Sequence, residues 1–366
     1  MPHQLKLLKA KSVLFITDAY LEKAGVLNDM ISALNLVDIS SKVFSNVQPD
    51  PTVNNVIEGL NLLNEVKADV LVAVGGGSPM DAAKAISVLK NNPLPLSQYM
   101  GYHKIPEAGI PLIAIPTTSG TGSEVTRVTV ITDTENDVKM MILDDHLQPL
   151  IALVDFELTL SMPAALTAHV GVDTLTHGIE AYVSLKANSL TDPIALSCID
   201  LVAGHLENAW NEPENHIARE GMSLAAYYGG MAFSNSSVCL IHGMSRPLGV
   251  RFHIPHGLSN AVLLPAITRF SIPGAMTRYA TVSRTMGLSE YEDSDEDAVI
   301  ALVEGLESLN QRLKIPRLRD CQGMDKTKFD QSLDKMAVDA LASGSPQNNP
   351  VVPTVEQIIE LYQQAW

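Results

Sequence analysis

One carboxylate and three imidazoles in the second half of the sequence are spaced so that they could bind a metal ion. Asp173 and His177 lie four residues apart in a stretch, 164–184, that is predicted to be helical, so both side chains would share one face. His242 and His256 follow, each directly before a glycine. Carboxylate oxygens and imidazole nitrogens are ligands of Zn²⁺ and Fe²⁺. The spacing alone also fits a helix-surface pair and isolated histidines, so both interpretations stay open at this point.

A short glycine-rich run in the first half could bind phosphate. It consists of Gly75, Gly76, Gly77, Ser78 and Pro79. Glycine permits a sharp turn and the close approach of an anion to backbone amides. The N-terminus of a following helix adds unpaired N–H groups and the positive end of a dipole. A plain strand-to-helix turn would use the same residues, so the run alone does not decide between the two roles.

A second loop, 116–123 (PTTSGTGS), also follows an apolar stretch and is rich in hydroxyl and amide donors. Two such loops at the carboxyl ends of parallel strands predict a dinucleotide crevice. The common Gly-x-Gly-x-x-Gly fingerprint does not occur after the first predicted strand. Asp18, at the end of that strand, is either a helix N-cap or the acid that binds the ribose. In the second role its charge would repel a 2′-phosphate and favour NAD over NADP.

The elements that position these residues change in type near residue 160. Predicted strands cover 12–17, 37–44, 69–74, 111–115, 128–132 and 150–154, and the predicted helices between them include 52–66 and 81–89. Apolar strands alternating with helices predict a parallel sheet covered on both faces. From 161 to 366 only the helical period recurs, for example in 299–313 and 354–366. We therefore predict an α/β domain at 1–160 and an all-helical domain at 161–366.

Composition narrows the class of protein. The 366 residues are 46% hydrophobic, and the three cysteines argue against a disulfide framework and for a reducing, cytoplasmic compartment. Acidic residues outnumber Lys and Arg by 41 to 25, so the formal charge of −16 disfavours nucleic acid and membranes as partners. We expect an enzyme that acts on a small molecule.

Four stretches together resemble the iron-containing (type III) alcohol dehydrogenases. They are 75–81 (GGGSPMD), 116–126 (PTTSGTGSEVT), 171–177 (GVDTLTH) and 242–257 (HGMSRPLGVRFHIPHG). The resemblance implies a Rossmann-like domain followed by a helical domain, as in dehydroquinate synthase, with NAD in the cleft between them and Fe²⁺ or, alternatively, Zn²⁺. It also implies reversible hydride transfer between NAD and a small alcohol or diol, or the matching aldehyde or ketone, in a homodimer.

The resemblance also implies roles for individual residues. The metal ligands would be Asp173, His177, His242 and His256. The cofactor contacts would be Asp18 at the ribose, Gly75, Gly76, Gly77 and Ser78 at the pyrophosphate with Asp81 nearby, and Thr117, Thr118, Thr121, Val130, Lys139, Leu158 and, more weakly, Asp50 elsewhere.

Two features depart from the family pattern. Many members carry a second histidine four residues after the ligand that corresponds to His242, where this chain has Arg246, which cannot give up its proton. Proton relay would pass to His253 or to water, and Arg246 could instead hold an acidic group of a hydroxy-acid substrate. The chain also begins almost at its first strand, without the family's longer leader, which leaves the dimer contact and full activity open. A non-redox cyclase of the dehydroquinate synthase type and an NAD-binding protein without turnover are the competing interpretations.

Overall fold

The computed structural model describes residues 1–136 and 138–366, which form two compact units. The first unit comprises Met1–Thr118 and Gly122–Thr159, and the second comprises Ser119–Thr121 and Leu160–Trp366. The tripeptide Ser119–Thr121 thus belongs to the second unit, although its sequence neighbours belong to the first. No helix among the described residues combines the length and apolar character that a membrane span requires.

The first unit contains eight strands and five α-helices in its described residues. The strands are β1 (Ser12–Ile16), β2 (Ser40–Phe44), β3 (Val70–Gly75), β4 (Gly101–Tyr102), β5 (Leu112–Pro116), β6 (Val128–Asp133), β7 (Val138–Leu143) and β8 (Ile151–Ala152). The helices are α1 (Pro2–Leu7), α2 (Ala19–Lys23), α3 (Asn28–Asn35), α4 (Val53–Val66) and α5 (Gly77–Leu89), with single 3-10 turns at Leu96–Tyr99, Ser123–Val125, Asp145–Leu147 and Phe156–Thr159. The short helix α1 was not predicted from the sequence.

Five strands form the parallel sheet that the sequence predicts. Their order is β2-β1-β3-β5-β8, and every neighbouring pair is parallel. Alternate side chains enter two different cores: Leu14 and Leu71 pack in one, with residues of α4 and α5, and Phe15 and Val72 pack in the other, with residues of α1 and α3. Burial on both faces explains why β1 and β3 read as continuous apolar runs.

The strand predicted at 128–132 does not join this sheet, so that part of the prediction was wrong. It forms β6, which pairs antiparallel with β7 in a second sheet of order β4-β7-β6. The described residues between the two strands, 134–136, form a turn and no helix. Asp133 accepts backbone hydrogen bonds from Glu135 and Asn136 at 3.1 and 3.2 Å, which tightens the turn between them. A connection this short can join antiparallel neighbours but not parallel ones.

The described residues of the second unit contain helices and no strand, as the sequence predicts. The helices are α6 (Ala164–Val183), α7 (Asp192–Asn211), α8 (His216–Asn235), α9 (Leu240–Phe252), α10 (His256–Ser271), α11 (Met276–Thr285), α12 (Asp295–Arg312), α13 (Lys326–Ala342) and α14 (Val355–Ala365), with 3-10 turns at Ile272–Gly274, Leu318–Asp320 and Pro346–Asn348. The predicted capping box at the start of α14 is confirmed, because Thr354 and Gln357 exchange both hydrogen bonds.

Helix α6 approaches α7 closely because small residues line the contact. A methyl group added at Gly171 would lie 2.2 Å from Cδ1 of Leu206, and one at Gly178 would lie 2.9 Å from Ile199. Helix α6 carries two of the predicted metal ligands. Its packing against α7 therefore determines where those two side chains can lie.

The close contact between Gly171 and Leu206 predicts that Gly171→Ala destabilises the wild type but stabilises the Leu206→Ala variant. Gly171→Ala should lower the free energy of unfolding of the wild type by about 1–3 kcal/mol, because the added methyl overpacks the interface. Leu206→Ala should cost about 2–5 kcal/mol by leaving a cavity, and in that background Gly171→Ala should restore stability by filling it. Denaturant unfolding of the four proteins measures both effects. Additive losses would contradict this packing.

Candidate metal centre and cofactor-binding loops

The four predicted metal ligands come together in the helical unit. All three histidines approach Asp173 Oδ1 through their Nε2 atoms. The distance is 3.6 Å for His242, 3.7 Å for His177 and 3.9 Å for His256. The ligand atoms of Asp173, His177 and His242 all lie within 4.8 Å of one another. Helix α6 supplies the first two of these three side chains from one face, α9 supplies His242, and His256 begins α10.

The separations between these ligand atoms fit a bound metal ion. At 3.6–3.9 Å, the nitrogens are too far from the Asp173 oxygen for hydrogen bonds. In a tetrahedral site with bonds of about 2.1 Å, neighbouring ligand atoms are about 3.4 Å apart. Three imidazole nitrogens and one carboxylate oxygen suit Zn²⁺ and Fe²⁺ alike. The residues present therefore fit a divalent cation.

Glu180 orients His242 and was not recognised in the sequence. Its Oε2 lies 2.6 Å from Nδ1 of His242, and the same carboxylate accepts backbone hydrogen bonds from Cys239 and Ile241 at 2.8 and 2.7 Å. A carboxylate bonded to the far nitrogen of an imidazole determines its tautomer and presents the near nitrogen to a metal. The sequence did contain a signal, since Glu180 follows Asp173 and His177 at positions i+7 and i+3 on the same helix face.

Asn260 is a second neighbour of the ligands that was not recognised. Its Nδ2 lies 2.6 Å from Oδ1 of Asp173 and 3.2 Å from Nε2 of both His242 and His256. It stands one turn after His256 on α10, and that i, i+4 spacing was the available signal. Asn260 is fully buried.

The protonation equilibria of the centre favour a cation. Burial opposes ionisation of Asp173, but the neighbouring imidazoles outweigh it and hold the pKa of the carboxyl well below its usual range. Desolvation lowers the pKa of His177 to about 4, which leaves its nitrogen lone pair available near neutral pH. For His242 desolvation acts the same way, but Glu180 and Asp173 outweigh it and raise the pKa to about 9. A metal ion would compete with that proton.

The two candidate catalytic residues lie in different surroundings. Arg246 stands one turn after His242 on α9 and is half-buried. Desolvation lowers the pKa of His256 to about 4 against the attraction of Asp173, and the charges of His242, His177 and, least of all, Arg246 lower it further. His253 ends α9 in a left-handed conformation (φ 56°). Its side chain is exposed and has no hydrogen bond or ion pair within the described residues.

The glycine-rich run forms the predicted turn into a helix, but the helix starts four residues earlier than predicted. Gly75 ends β3 with φ 151°, where an added methyl would lie 2.6 Å from Pro79. Gly76 is the extended N-cap of α5, so Gly77 and Ser78 form the first turn. The prediction placed the start at residue 81 because it assigned the glycines to the turn. Backbone N–H groups of this first turn are the ones that a helix leaves for an anion.

Asp81 binds the second loop from within the α/β unit. Its carboxylate accepts hydrogen bonds from the Ser123 hydroxyl and the Val130 backbone N–H, both at 3.0 Å. Desolvation raises its pKa. The two predicted cofactor contacts Asp81 and Val130 are thus bonded to each other in this structure.

Lys84 continues this network and was not recognised in the sequence. It is fully buried, and its Nζ donates at 2.9 Å to the hydroxyls of Ser123 and Thr126 and to the carbonyl of Val128. Desolvation lowers its pKa to about 8, against the attraction of Asp81 and Glu124. Desolvation likewise raises the pKa of Glu124 to about 7. A buried cation and two carboxyls therefore hold the end of the loop against α5.

The remaining predicted cofactor residues are distributed over both units. Asp18 caps α2 by accepting from the Leu21 N–H at 2.9 Å, so its N-cap role is confirmed. Asp50, in a left-handed conformation, and Lys139 form an ion pair of 2.8 Å.

Thr117 and Thr118 follow β5, and an added methyl on Gly76 would lie 3.3 Å from Thr118. Leu158 packs at the border of one sheet core. Thr121 belongs to the helical unit. In that unit Thr174 donates to the carbonyls of Ser119 and Gly120 at 3.2 Å, directly after the metal-site residue Asp173.

Comparisons with known proteins match almost the whole chain. A family model described as "Iron-containing alcohol dehydrogenase" matches residues 1–156, and one described as "Fe-containing alcohol dehydrogenase family, C-terminal" matches 167–366. The lactaldehyde reductase of Escherichia coli (strain K12) is 37% identical over 97% of this chain and 92% of its own length. Alcohol dehydrogenase 4 of Schizosaccharomyces pombe is 36% identical over 99% of this chain and 84% of its own length. A solved 1,3-propanediol oxidoreductase superposes with a TM-score of 0.96 at 35% identity, covering 100% of this chain and 95% of that one.

The buried carboxyl of Glu124 predicts a pH dependence of stability. Because its pKa rises from 4.5 to about 7 on folding, the folded protein keeps a proton that the unfolded chain releases between those values. Relative to Glu124→Gln, which lacks this carboxyl, the stability of the wild type should therefore fall as the pH rises through this window, by about 3 kcal/mol in total. Denaturant unfolding at several pH values should show this relative fall for the wild type and for Glu58→Gln, an exposed control on α4, because all other titrating groups are common to the three proteins. Equal slopes for all three proteins would contradict the assignment.

Proposed function

This chain belongs to the iron-containing alcohol dehydrogenase family, and on that premise we propose that it is a metal-dependent, NAD-linked dehydrogenase of small alcohols or diols. The observation that carries the proposal is the convergence of Asp173 and three imidazoles, all within 4 Å of one carboxylate oxygen. Two relatives are named for lactaldehyde and 1,3-propanediol, which supports a short-chain substrate. In this proposal the α/β unit binds NAD and the helical unit binds the ion, with Fe²⁺ favoured by the family and Zn²⁺ equally compatible with the ligands.

A bound divalent ion would supply Lewis-acid polarisation of the substrate oxygen, which makes an alkoxide accessible near neutral pH. The chain's own residues prepare that site. Asp173 contributes a negative charge that balances part of the ion's charge. Glu180 holds His242 so that its Nε2 faces the other ligands. Burial of Asp173, His177 and His242 excludes bulk water from three of the four ligands.

NAD would supply the hydride acceptor, and its binding must be local because the net charge of −16 repels an anion. The partly exposed Gly76, Gly77 and Ser78 offer backbone N–H groups at the start of α5. Lys139 could leave its ion pair with Asp50 and bind a phosphate of NAD instead. An ion pair with an exposed carboxylate contributes only about 0–1 kcal/mol to stability. Asp81 and Lys84 act indirectly, by holding the second loop in place.

Proton relay cannot run through a histidine at position 246, where this chain has arginine. We assign it to water, with the exposed His253 as the group that can exchange protons with the solvent. A second candidate function rests on Arg246 itself. Its charge already acts on His256, and the same charge could bind an anionic group of a hydroxy-acid or an acidic aldehyde.

Removal and return of the metal test the main proposal. The purified chain is stripped with a chelator, reloaded with Fe²⁺ or Zn²⁺, and assayed for NADH with alcohols, diols, and neutral and anionic aldehydes. We expect turnover that disappears on stripping and returns with the ion. His177→Gln should lose more than the roughly 10–100-fold that loss of an outer partner costs, whereas His216→Gln, an exposed control at the start of α8, should match the wild type.

The absence of any metal-dependent NADH signal would refute this function. Turnover confined to anionic substrates would instead support the second candidate.

The N-cap Asp18 predicts how the cofactor preference can be changed. Asn caps helices as well as Asp does, so Asp18→Asn should keep the hydrogen bond from Leu21 but remove the charge. We expect the NADP-to-NAD ratio of kcat/KM to rise roughly tenfold, because a phosphate would no longer meet a carboxylate. Asp29→Asn, an exposed acid in the first turn of α3, makes the same change in net charge and should leave the ratio unchanged. An unchanged ratio in Asp18→Asn would rule out the ribose role.

A further inference from the structure

The side-chain amide of Asn260 occupies an unusual position among the metal-site residues. Its nitrogen faces Asp173 Oδ1 at 2.6 Å and the Nε2 atoms of His242 and His256 at 3.2 Å. These are three of the four atoms that would bind the ion. A single amide nitrogen therefore faces three atoms whose lone pairs a bound cation would use.

Neither the nitrogen nor the oxygen of this amide has a complete match of hydrogen-bond partners. An amide nitrogen carries two protons, so it can donate to at most two of these three atoms at once. Its oxygen is buried and has no hydrogen-bond partner within the described residues. Buried polar atoms without partners are rare and costly. Asn260 is fully buried, so the side chain cannot turn out to solvent to correct this.

A bound cation would make the present orientation unfavourable. It would take the lone pairs of Asp173, His242 and His256, and the positive edge of the amide would then face a positive ion. Rotation about the Cβ–Cγ bond by half a turn exchanges the amide oxygen and nitrogen with little change in the volume that they occupy. Amide oxygens are good ligands for divalent cations.

We propose that Asn260 is a fifth group of the metal centre, which gives its amide oxygen to the bound ion and its amide nitrogen to the ligands when no ion is bound. The inference rests on the proposed metal-dependent function. In the metal-free protein the amide protons keep the carboxylate and the two imidazoles separated and facing one point. In the loaded protein the unpartnered oxygen acquires a cation.

Metal affinity, measured without any substrate, tests this role. Wild type, Asn260→Leu, Asn260→Asp and Asn310→Leu are stripped and then titrated with Co²⁺ against a chelator of known affinity. Asn310 on α12 is the matched control. Its amide nitrogen also donates a hydrogen bond, to the carbonyl of Ala261 at 2.7 Å, and its buried oxygen likewise has no partner within the described residues. The visible spectrum of bound Co²⁺ reports the ligand set.

Asn260→Leu should bind Co²⁺ about 10–100-fold more weakly than the wild type and with an altered spectrum. Asn260→Asp should bind at least as tightly, because a carboxylate offers an oxygen in either orientation, and it decides the question even if the leucine variant does not fold. Asn310→Leu should match the wild type.

Equal or tighter binding by Asn260→Leu would overturn the proposal, because the amide would then only fill the site, and a tenfold weaker Asn260→Asp would overturn it as well. Failure of the wild type to bind Co²⁺ would be a different result, which removes the metal-dependent function itself and the role of Asn260 with it.

Discussion

The candidate metal centre of the helical unit depends on the buried carboxylate of Asp173. A carboxylate that is 1% exposed loses its hydration, which is costly unless other groups replace the water. Here the replacements are three imidazoles and an amide from α6, α9 and α10, and none of them is a lysine or an arginine. A cation that bound there would displace no lysine or arginine from Asp173.

A buried carboxylate that needs hydrogen-bond donors also determines how α9 begins. Glu180 is also buried on α6, and it accepts N–H groups from both Cys239 and Ile241 as well as the His242 ring. An anion at a helix N-terminus satisfies donors that the helix itself leaves unpaired. The α/β unit uses the opposite arrangement, in which the buried cation Lys84 binds loop hydroxyls and a carbonyl. In both units a functional segment is held by a buried charge whose partners come from a distant part of the chain.

The sequence revealed the candidate metal ligands more readily than the groups around them. Asp173 and His177 share a helix face that spacing reveals. Spacing also places Glu180 on that face and Asn260 one turn after His256, but the side chains that they contact, His242 and Asp173, lie on other helices, and no local pattern encodes that packing. Lys84 was missed because a lysine among alanines on a helix normally points to solvent, and only the buried Asp81 and Glu124 explain its position. The strand at 128–132 was recognised, but its sheet was not. It pairs with the next strand, β7, because of a tight turn after Asp133. Continuous apolar strands such as β3 were straightforward because burial on both faces leaves a plain signal.

The tripeptide Ser119–Thr121 limits how segments of this protein can be exchanged by recombination between related genes. The chain leaves the α/β unit at residue 119, returns at 122 and leaves again at 160, so neither unit is one continuous segment. Thr174 binds the carbonyls of Ser119 and Gly120, and Ser223 lies 3.0 Å from the Ser119 hydroxyl. A genetic crossover near residue 160 would therefore join a loop from one parent to the helices of another. Two relatives can therefore exchange halves only if α6 and α8 of one parent can still form these hydrogen bonds with the 119–121 loop of the other.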